Sequence, residues 1–301
     1  VARRLGIPYY LLNSEAEFER SVIEPFARAY AAGRTPVPCV ACNREVKFGS
    51  LVQRARAWDA VAVATGHYAR ITRDRATGRL LLWRGRDARK DQSDFLWPLT
   101  QAQLEAARFP VGDLGKDAVR EKARALGLVT ADKPESQEIC FIPDDDYRGF
   151  LRRRIPEAFG PGPIVDGQGT LLGRHDGLVN YTVGQRRGLG LSSARPLYVT
   201  ALDPSRNTVV VGDANQVDVE RIRAEQVNFI ALPALTSPLA VAAKIRHSHE
   251  PAAAIIEPLE PGTVLVRFDR PQRAPAPGQS VVFYQGDLVV GGGVIARPEV
   301  P

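Results

Sequence analysis

Cysteine supplies the most reactive side chains in this sequence, and its three copies are unevenly placed. Cys39 and Cys42 form a C-x-x-C pair within PCVACN, directly after a proline-rich stretch, and Cys140 follows far downstream in SQEICFI. A thiol can serve as a small buried hydrophobe, as a metal ligand or, once ionised, as a nucleophile. Two ligands from the C-x-x-C, a third from Cys140 and a fourth from His67 would make a zinc site. The same pair could instead be a thioredoxin-like redox couple. Residue type and spacing leave these chemistries open. Three cysteines cannot close a disulfide framework, and their number fits a reducing, cytoplasmic setting.

The elements that must hold these thiols can be read from periodicity and turn signals. Val1–Leu12 reads as a helix end, an LGIP turn and a short buried strand at Tyr9–Leu12. Ser14-Glu15-Ala16-Glu17 reads as a capping box. Phe18, Val22, Phe26 and Tyr30 then recur every four residues on one apolar helical face. Pro25 should kink or split that helix, and Gly33 should end it. A second helix is expected from about Phe48 to Trp58, followed by the apolar strand Ala60–Ala64 and by Gly66. Helix alternating with buried strand indicates a parallel α/β sheet. Arg70–Arg84 reads as a hairpin turning at Ala76-Thr77-Gly78, with further helices near Gln101–Ala107 and Lys116–Leu126.

From about Asp144 the texture changes, with dense Gly and Pro (GPGPIVDGQGTLLGRHDG) and short segments that suggest a small adaptor domain. Beyond about Asn215, Val241–Arg246, Thr263–Phe268, Ser280–Tyr284 and Leu288–Ile295 read as short strands of a small barrel. The last two flank a hairpin turn at Gln285-Gly286-Asp287. The expected division is 1–143, 144–215 and 216–301. At 301 residues, more than one domain is expected. With 44% hydrophobic and 25% charged residues the composition is that of a soluble globular protein. No apolar run approaches the ~18 residues of a membrane span, and no signal peptide is recognisable. The net charge of +6, carried mostly by Arg, suits a polyanionic partner such as RNA. The chain has no Met and opens in what reads as the interior of an α/β unit, so it is expected to lack a natural N-terminus.

Five blocks decide between the cysteine chemistries. They are RTPVPCVACNREVKFG (34–49), ATGHYAR (64–70), KDQSDFLWPL (90–99), SQEICFI (136–142) and GLVNYTVGQRRGLG (177–190), in this order. Together they resemble the tRNA-specific 2-thiouridylase family along essentially the whole chain. That resemblance implies a truncated, Rossmann-like PP-loop ATP pyrophosphatase domain with a parallel sheet, then an adaptor, then a C-terminal β-barrel. It further implies ATP-dependent 2-thiolation of the wobble uridine of tRNA, with ATP and Mg2+ but no tightly bound cofactor. The implied persulfide carrier is Cys140 and the implied nucleophile Cys42. The family has either Asp or Cys at position 39, which makes Cys39 the less essential thiol and argues against zinc, so no metal ligand is assigned.

The same resemblance makes Gly66 a main-chain contact to ATP. It makes Val37, Pro38 and Cys39 the segment facing the target base, with Val37 where the family commonly has Asn. It makes His67, Lys90, Asp91, Gln92, Arg246, His247 and Gln279 contacts to tRNA, His247 standing where the family usually has Tyr. Gln185-Arg186-Arg187 lies in a Gly-rich turn where basic residues could follow phosphates. The implied partners are tRNA and a sulfur donor, either a cysteine desulfurase or a relay carrier, with the protein a monomer. The family's phosphate-cradling loop SGGVDS is not in this sequence, so this segment alone is expected to be inactive. Two other readings are set against this one: a tRNA-binding remnant without catalysis, and a zinc-bound structural protein.

Overall fold

The computed structural model describes residues 1–133 and 139–296. A short helix, Ala2–Leu5, ends at Gly6 with φ of 66°, and the chain then runs as coil to Ser14. Tyr9–Leu12 are therefore not the buried strand that their composition suggests: Tyr9 is 75% and Leu11 86% exposed. No described strand lies alongside them, and a lone strand leaves its backbone groups unpaired. The capping box is also absent. Ser14 Oγ accepts a hydrogen bond from the Arg54 guanidinium instead, and Asn13 Oδ1 accepts the amide of Glu15.

Helical backbone runs from Glu15 to Ala31, with a π-helical stretch at Glu19–Ile23 between α-helical pieces Glu15–Phe18 and Glu24–Ala31. The Glu24 amide bonds to the Glu19 carbonyl, so the ladder changes register one residue before Pro25, which has no N–H to give. The helix widens rather than splits. Val22, Phe26 and Tyr30 are buried, and Gly33, at φ 66°, ends the run. The next helical run begins at Pro38, ten residues before the expected start. It comprises Pro38–Ala41, a π-helical Cys42–Ser50 and Leu51–Arg56. Proline at the first helical position loses no hydrogen bond, so the proline-rich stretch opens the helix rather than excluding it. Both cysteines of the C-x-x-C consequently lie on a helix.

Strand β1 (Val63–Ala64) is shorter than expected, and Val61 before it is exposed. Strands β2 (Ala69–Arg73) and β3 (Leu80–Arg84) form the expected hairpin, with Thr77 Oγ1 donating to Asp74 in its turn. Strand β4 (Ala107–Arg108) pairs parallel with β1, the Rossmann-like element of the N-terminal part. Four strands form the adaptor sheet: β5 (Gly162–Val165), β6 (Leu171–His175), β7 (Tyr198–Asp203) and β8 (Thr208–Gly212), in the order β6-β5-β8-β7. The C-terminal strands are β9 (Asp218–Phe229), β10 (Leu239–Lys244), β11 (Ala252–Pro258), β12 (Val264–Arg273), β13 (Ser280–Gln285) and β14 (Leu288–Ile295). Their order, β13-β10-β11-β12-β9-β14, closes through β13–β14 into a six-stranded barrel. Closure removes the free sheet edges. Among the described residues no helix is long and apolar enough to cross a membrane.

The barrel is not a separate appendage. Strand β3 pairs with β14, so the N-terminal hairpin extends the barrel sheet. Trp97, fully buried, lies over Gly292 of β14; its indole N–H donates to Ser280 Oγ at 3.0 Å. Asn228 on β9 donates to the carbonyls of Trp97 and Leu99 at 2.7 and 3.1 Å. A Cβ at Gly292 would stand 2.8 Å from the Trp97 ring and 2.9 Å from the Val281 carbonyl oxygen. His67 is buried between Phe48 and Phe109, its Nδ1 2.7 Å from Thr65 Oγ1. Burial, with a smaller push from Lys47, lowers its pKa to about 4.

Two measurements check this packing. Gly292→Ala should cost about 1–3 kcal/mol in urea unfolding, the usual penalty of overpacking a filled core. For His67 the native pKa lies below the unfolded value of ~6.5, so the unfolded chain binds the proton first. The stabilising contribution is complete above that value and is lost as pH falls toward about 4. The loss is on the order of 3 kcal/mol. His67→Gln should remove this part of the pH dependence, measured as the difference between the two proteins' unfolding free energies across that window.

Candidate functional site

The site is built around the segment that leads into the Pro38 helix. Thr35 N–H donates to the Pro277 carbonyl at 2.7 Å, and the Gln279 side-chain amide donates to the Thr35 carbonyl at 2.9 Å. Thr35 Oγ1 also lies 3.2 Å from Thr182 Oγ1 of the adaptor. Gly278 permits this approach: its φ is 92°, and a Cβ there would meet Thr35 N at 3.0 Å. Strapped in this way, Val37 is extended (φ −109°, ψ 94°), Pro38 starts the helix, and Cys39 and Cys42 follow one turn apart.

Beside this ridge lies a cavity of about 310 Å3. The helix start contributes Val37, Pro38 and Cys39 to its wall, and the barrel contributes Lys244, Arg246, His247 and Gln279. Asp94 and Phe95 supply the wall between, and Ile139, next to Cys140 in sequence, closes one side. Six residues singled out from the sequence thus meet at one place. Asp94 and Lys244 were not among them. Asp94 stood inside the KDQSDFLWPL block, and Lys244 ends an otherwise apolar strand, a position where a lone charge signals a buried partner.

That partner is Asp94. Its Oδ2 lies 3.3 Å from Lys244 Nζ and 2.8 Å from His247 Nδ1. The side chains of Asp94 and Lys244 are 6% and 10% exposed, that of His247 55%. One face of the His247 ring rests on Phe95, with centroids 4.7 Å apart. Arg246 lines the cavity while its guanidinium donates to the carbonyls of Arg273 and Ala274.

All three cysteines are free. Burial pushes the Cys39 thiol pKa up, Cys140 and Asp94 add to the rise, and Lys47 opposes it. Burial also raises Cys42, with Lys47 pulling down and the other two thiols pushing up. The three sulfurs therefore sit within electrostatic reach of one another. Cys140 is exposed on a turn in which Ile142 N–H bonds to the Ile139 carbonyl. Phe141 anchors this turn edge-on against Phe26, and Ile142 is buried. Ser136, Gln137 and Glu138 of the SQEICFI block lie outside the described residues. Among the described residues no three of His, Cys, Asp or Glu converge as metal ligands, so the Cys/His zinc arrangement is not assembled.

The remaining residues lie apart from the cavity wall. Gly66 follows β1, is exposed, and has open space where a Cβ would be. That is the strand end at which α/β sheets receive ligands, and bare backbone there fits a nucleotide's close approach. His67 is enclosed in the aromatic packing described above. Asp91 accepts from the amides of Gly85 and Ser93 and from Ser93 Oγ, and Gln92 accepts the Tyr68 amide. Both side chains brace the hairpin base, while Lys90 beside them is half-buried.

Comparison with known proteins covers the whole of this arrangement. Residues 1–144 match a model described as the tRNA methyl transferase HUP domain, and residues 148–213 the tRNA methyl transferase PRC-barrel domain. Residues 219–295 match the aminomethyltransferase beta-barrel domain. A protein of Heliobacterium modesticaldum named tRNA-specific 2-thiouridylase MnmA is 54% identical, over 99% of this chain and 78% of its own length. Proteins of the same name from Symbiobacterium thermophilum and Moorella thermoacetica are each 51% identical. The alignments cover 99% and 98% of this chain, and 76% and 83% of those relatives. The family models carry methyl transferase wording, but the relatives that share half their residues with this chain are named for thiolation. At such identity over almost its whole length, the chain belongs to the tRNA-specific 2-thiouridylase family.

Proposed function

We propose that this protein replaces the 2-oxygen of the wobble uridine of tRNA with sulfur, taken from a cysteine persulfide in an ATP-dependent reaction. The observation that carries the reading is the cavity that gathers Val37, Pro38 and Cys39 with Arg246, His247 and Gln279, next to the Cys140 turn. Its volume is at the small end for ligand sites and admits a single flipped nucleoside rather than a base-paired duplex.

ATP bound near Gly66 supplies the adenylyl group that turns the uridine 2-oxygen into a leaving group. Cys140, on its exposed turn, carries the sulfane sulfur as a persulfide that an external donor loads. Cys42 closes a disulfide with Cys140 as that sulfur is passed on, so an external thiol must reduce the pair before the next turnover. The raised thiol pKa values keep Cys39 and Cys42 protonated at rest, which suits thiols held back until substrate is bound. Lys90, Arg246, His247 and Gln279 contact the tRNA, with Asp91, Gln92 and His67 shaping the surface from behind. Residues 1–143, 144–215 and 216–301 act as catalytic, adaptor and barrel domains. The 301-residue segment by itself, without an SGGVDS loop, is inactive.

In the full-length protein, Cys42→Ser and Cys140→Ser should each abolish thiolation, while Cys39→Ser leaves measurable activity. Mass spectrometry of tRNA nucleosides after incubation with ATP and a persulfide donor reads the result. Equal loss at all three cysteines would overturn these roles. Binding of tRNA should weaken steeply as salt rises, because each neutralised phosphate releases counterions. Lys90→Ala should weaken it by about 1 kcal/mol. Filter binding that is flat across salt concentrations would count against a backbone-tracking interface.

A further inference from the structure

We propose that Asp94 fixes the His247 ring so that its Nε2 accepts the N3–H of a uracil in the cavity, making this pair the determinant that selects uridine over cytidine. The inference deepens the tRNA reading above and rests on it. The argument starts at the buried carboxylate. Asp94 Oδ2 can only accept, and His247 Nδ1 stands 2.8 Å from it, so Nδ1 carries the ring hydrogen. In the neutral ring Nε2 is then left with a lone pair. Among the described residues Nε2 has no hydrogen-bond partner, and His247 both lines the cavity and is more than half exposed.

The ring has little freedom to turn. Lys244 Nζ holds the same Asp94 oxygen from the barrel side, and Phe95 covers one face of the imidazole. The other Asp94 oxygen, Oδ1, is buried behind the pair, so the carboxylate faces the ring through Oδ2. Uracil presents a hydrogen at N3 on its Watson–Crick edge, whereas cytosine presents a lone pair there. Single-stranded RNA bases are read along this edge and stacked on aromatic rings. An acceptor at Nε2 matches the first base and repels the second.

The other ionisable side chains lining this cavity are Tyr30, Cys39, Asp94, Lys244 and Arg246. Asp91 and Tyr284 stand behind Asp94.

The test uses the full-length protein without ATP and anticodon stem-loops carrying uridine, cytidine or 3-methyluridine at the wobble position. Fluorescence anisotropy should give roughly tenfold tighter binding of uridine than of either competitor, the worth of one hydrogen bond against an unmet or clashing group. Asp94→Asn and His247→Phe should bring the ratio toward one. Unchanged discrimination in both variants overturns the inference. On the unaltered protein, 15N NMR should show the His247 ring protonated at Nδ1 and its Nε2 resonance moving only with uridine; a ring protonated at Nε2 overturns it without recourse to any variant. If stem-loops bind with no preference for uridine, this inference alone fails. If none binds at any salt concentration, the tRNA reading fails and takes the inference with it.

Discussion

The seating of the Ser93–Leu99 segment on the barrel is the constraint from which the rest of the arrangement follows. Trp97 is pinned by Ser280 and covers a strand whose glycines give it room, while Asn228 holds the carbonyls on either side of the proline. A residue three positions before that indole is fixed just as firmly. Asp94 thereby meets Lys244 and His247, which belong to the far end of the sequence. Without this docking the cavity would have no floor between the cysteine helix and the barrel. Buried ion pairs are often near neutral for stability, because removing both charges from water costs about what their attraction returns. The value of the Asp94–Lys244 pair is better sought in what it orients.

The cavity lining mixes apolar residues such as Val37, Pro38 and Phe95 with the buried Asp94–Lys244 pair, whose carboxylate and ammonium act across a short, weakly screened distance. The thiols lie on the side where the helix begins. Their proximity to Lys47 on one hand and to each other on the other leaves them poised by opposing influences, with burial deciding the balance.

Much of the fold was legible because it rests on local rules. The Phe18–Tyr30 face, the Gly33 stop, the hairpin at Ala76-Thr77-Gly78 and barrel strands β10, β12, β13 and β14 follow from period and turn chemistry, whereas β11 (Ala252–Pro258) is not read as a strand. What was not legible depended on partners distant in sequence. Strand β9 alternates charged residues with small apolar ones (DVERIRAEQVNF) and reads as surface until β12 and β14 flank it. Tyr9–Leu12 reads as strand, yet a strand needs a neighbour. Prolines at 36 and 38 read as loop, although the second is a helix start. Within the site, the first motif block delivered Val37, Pro38 and Cys39, and the family resemblance, not a block, pointed to Arg246, His247 and Gln279. Asp94 and Lys244 escaped because each is an ordinary charged residue until the other is placed beside it.

The π-helical stretch after Cys42 has a further effect on that helix. An α-helix advances about 100° per residue, and each extra residue taken into a wide turn offsets the two ends of the helix by roughly that angle. The end that bears Cys39 and Cys42 is therefore out of phase with the end that buries Val52 in the core. A straight helix would tie the facing of its reactive end to the facing of its packing end. Here the two are decoupled, so the thiols can be aimed independently of the contacts that anchor the helix to the body of the protein.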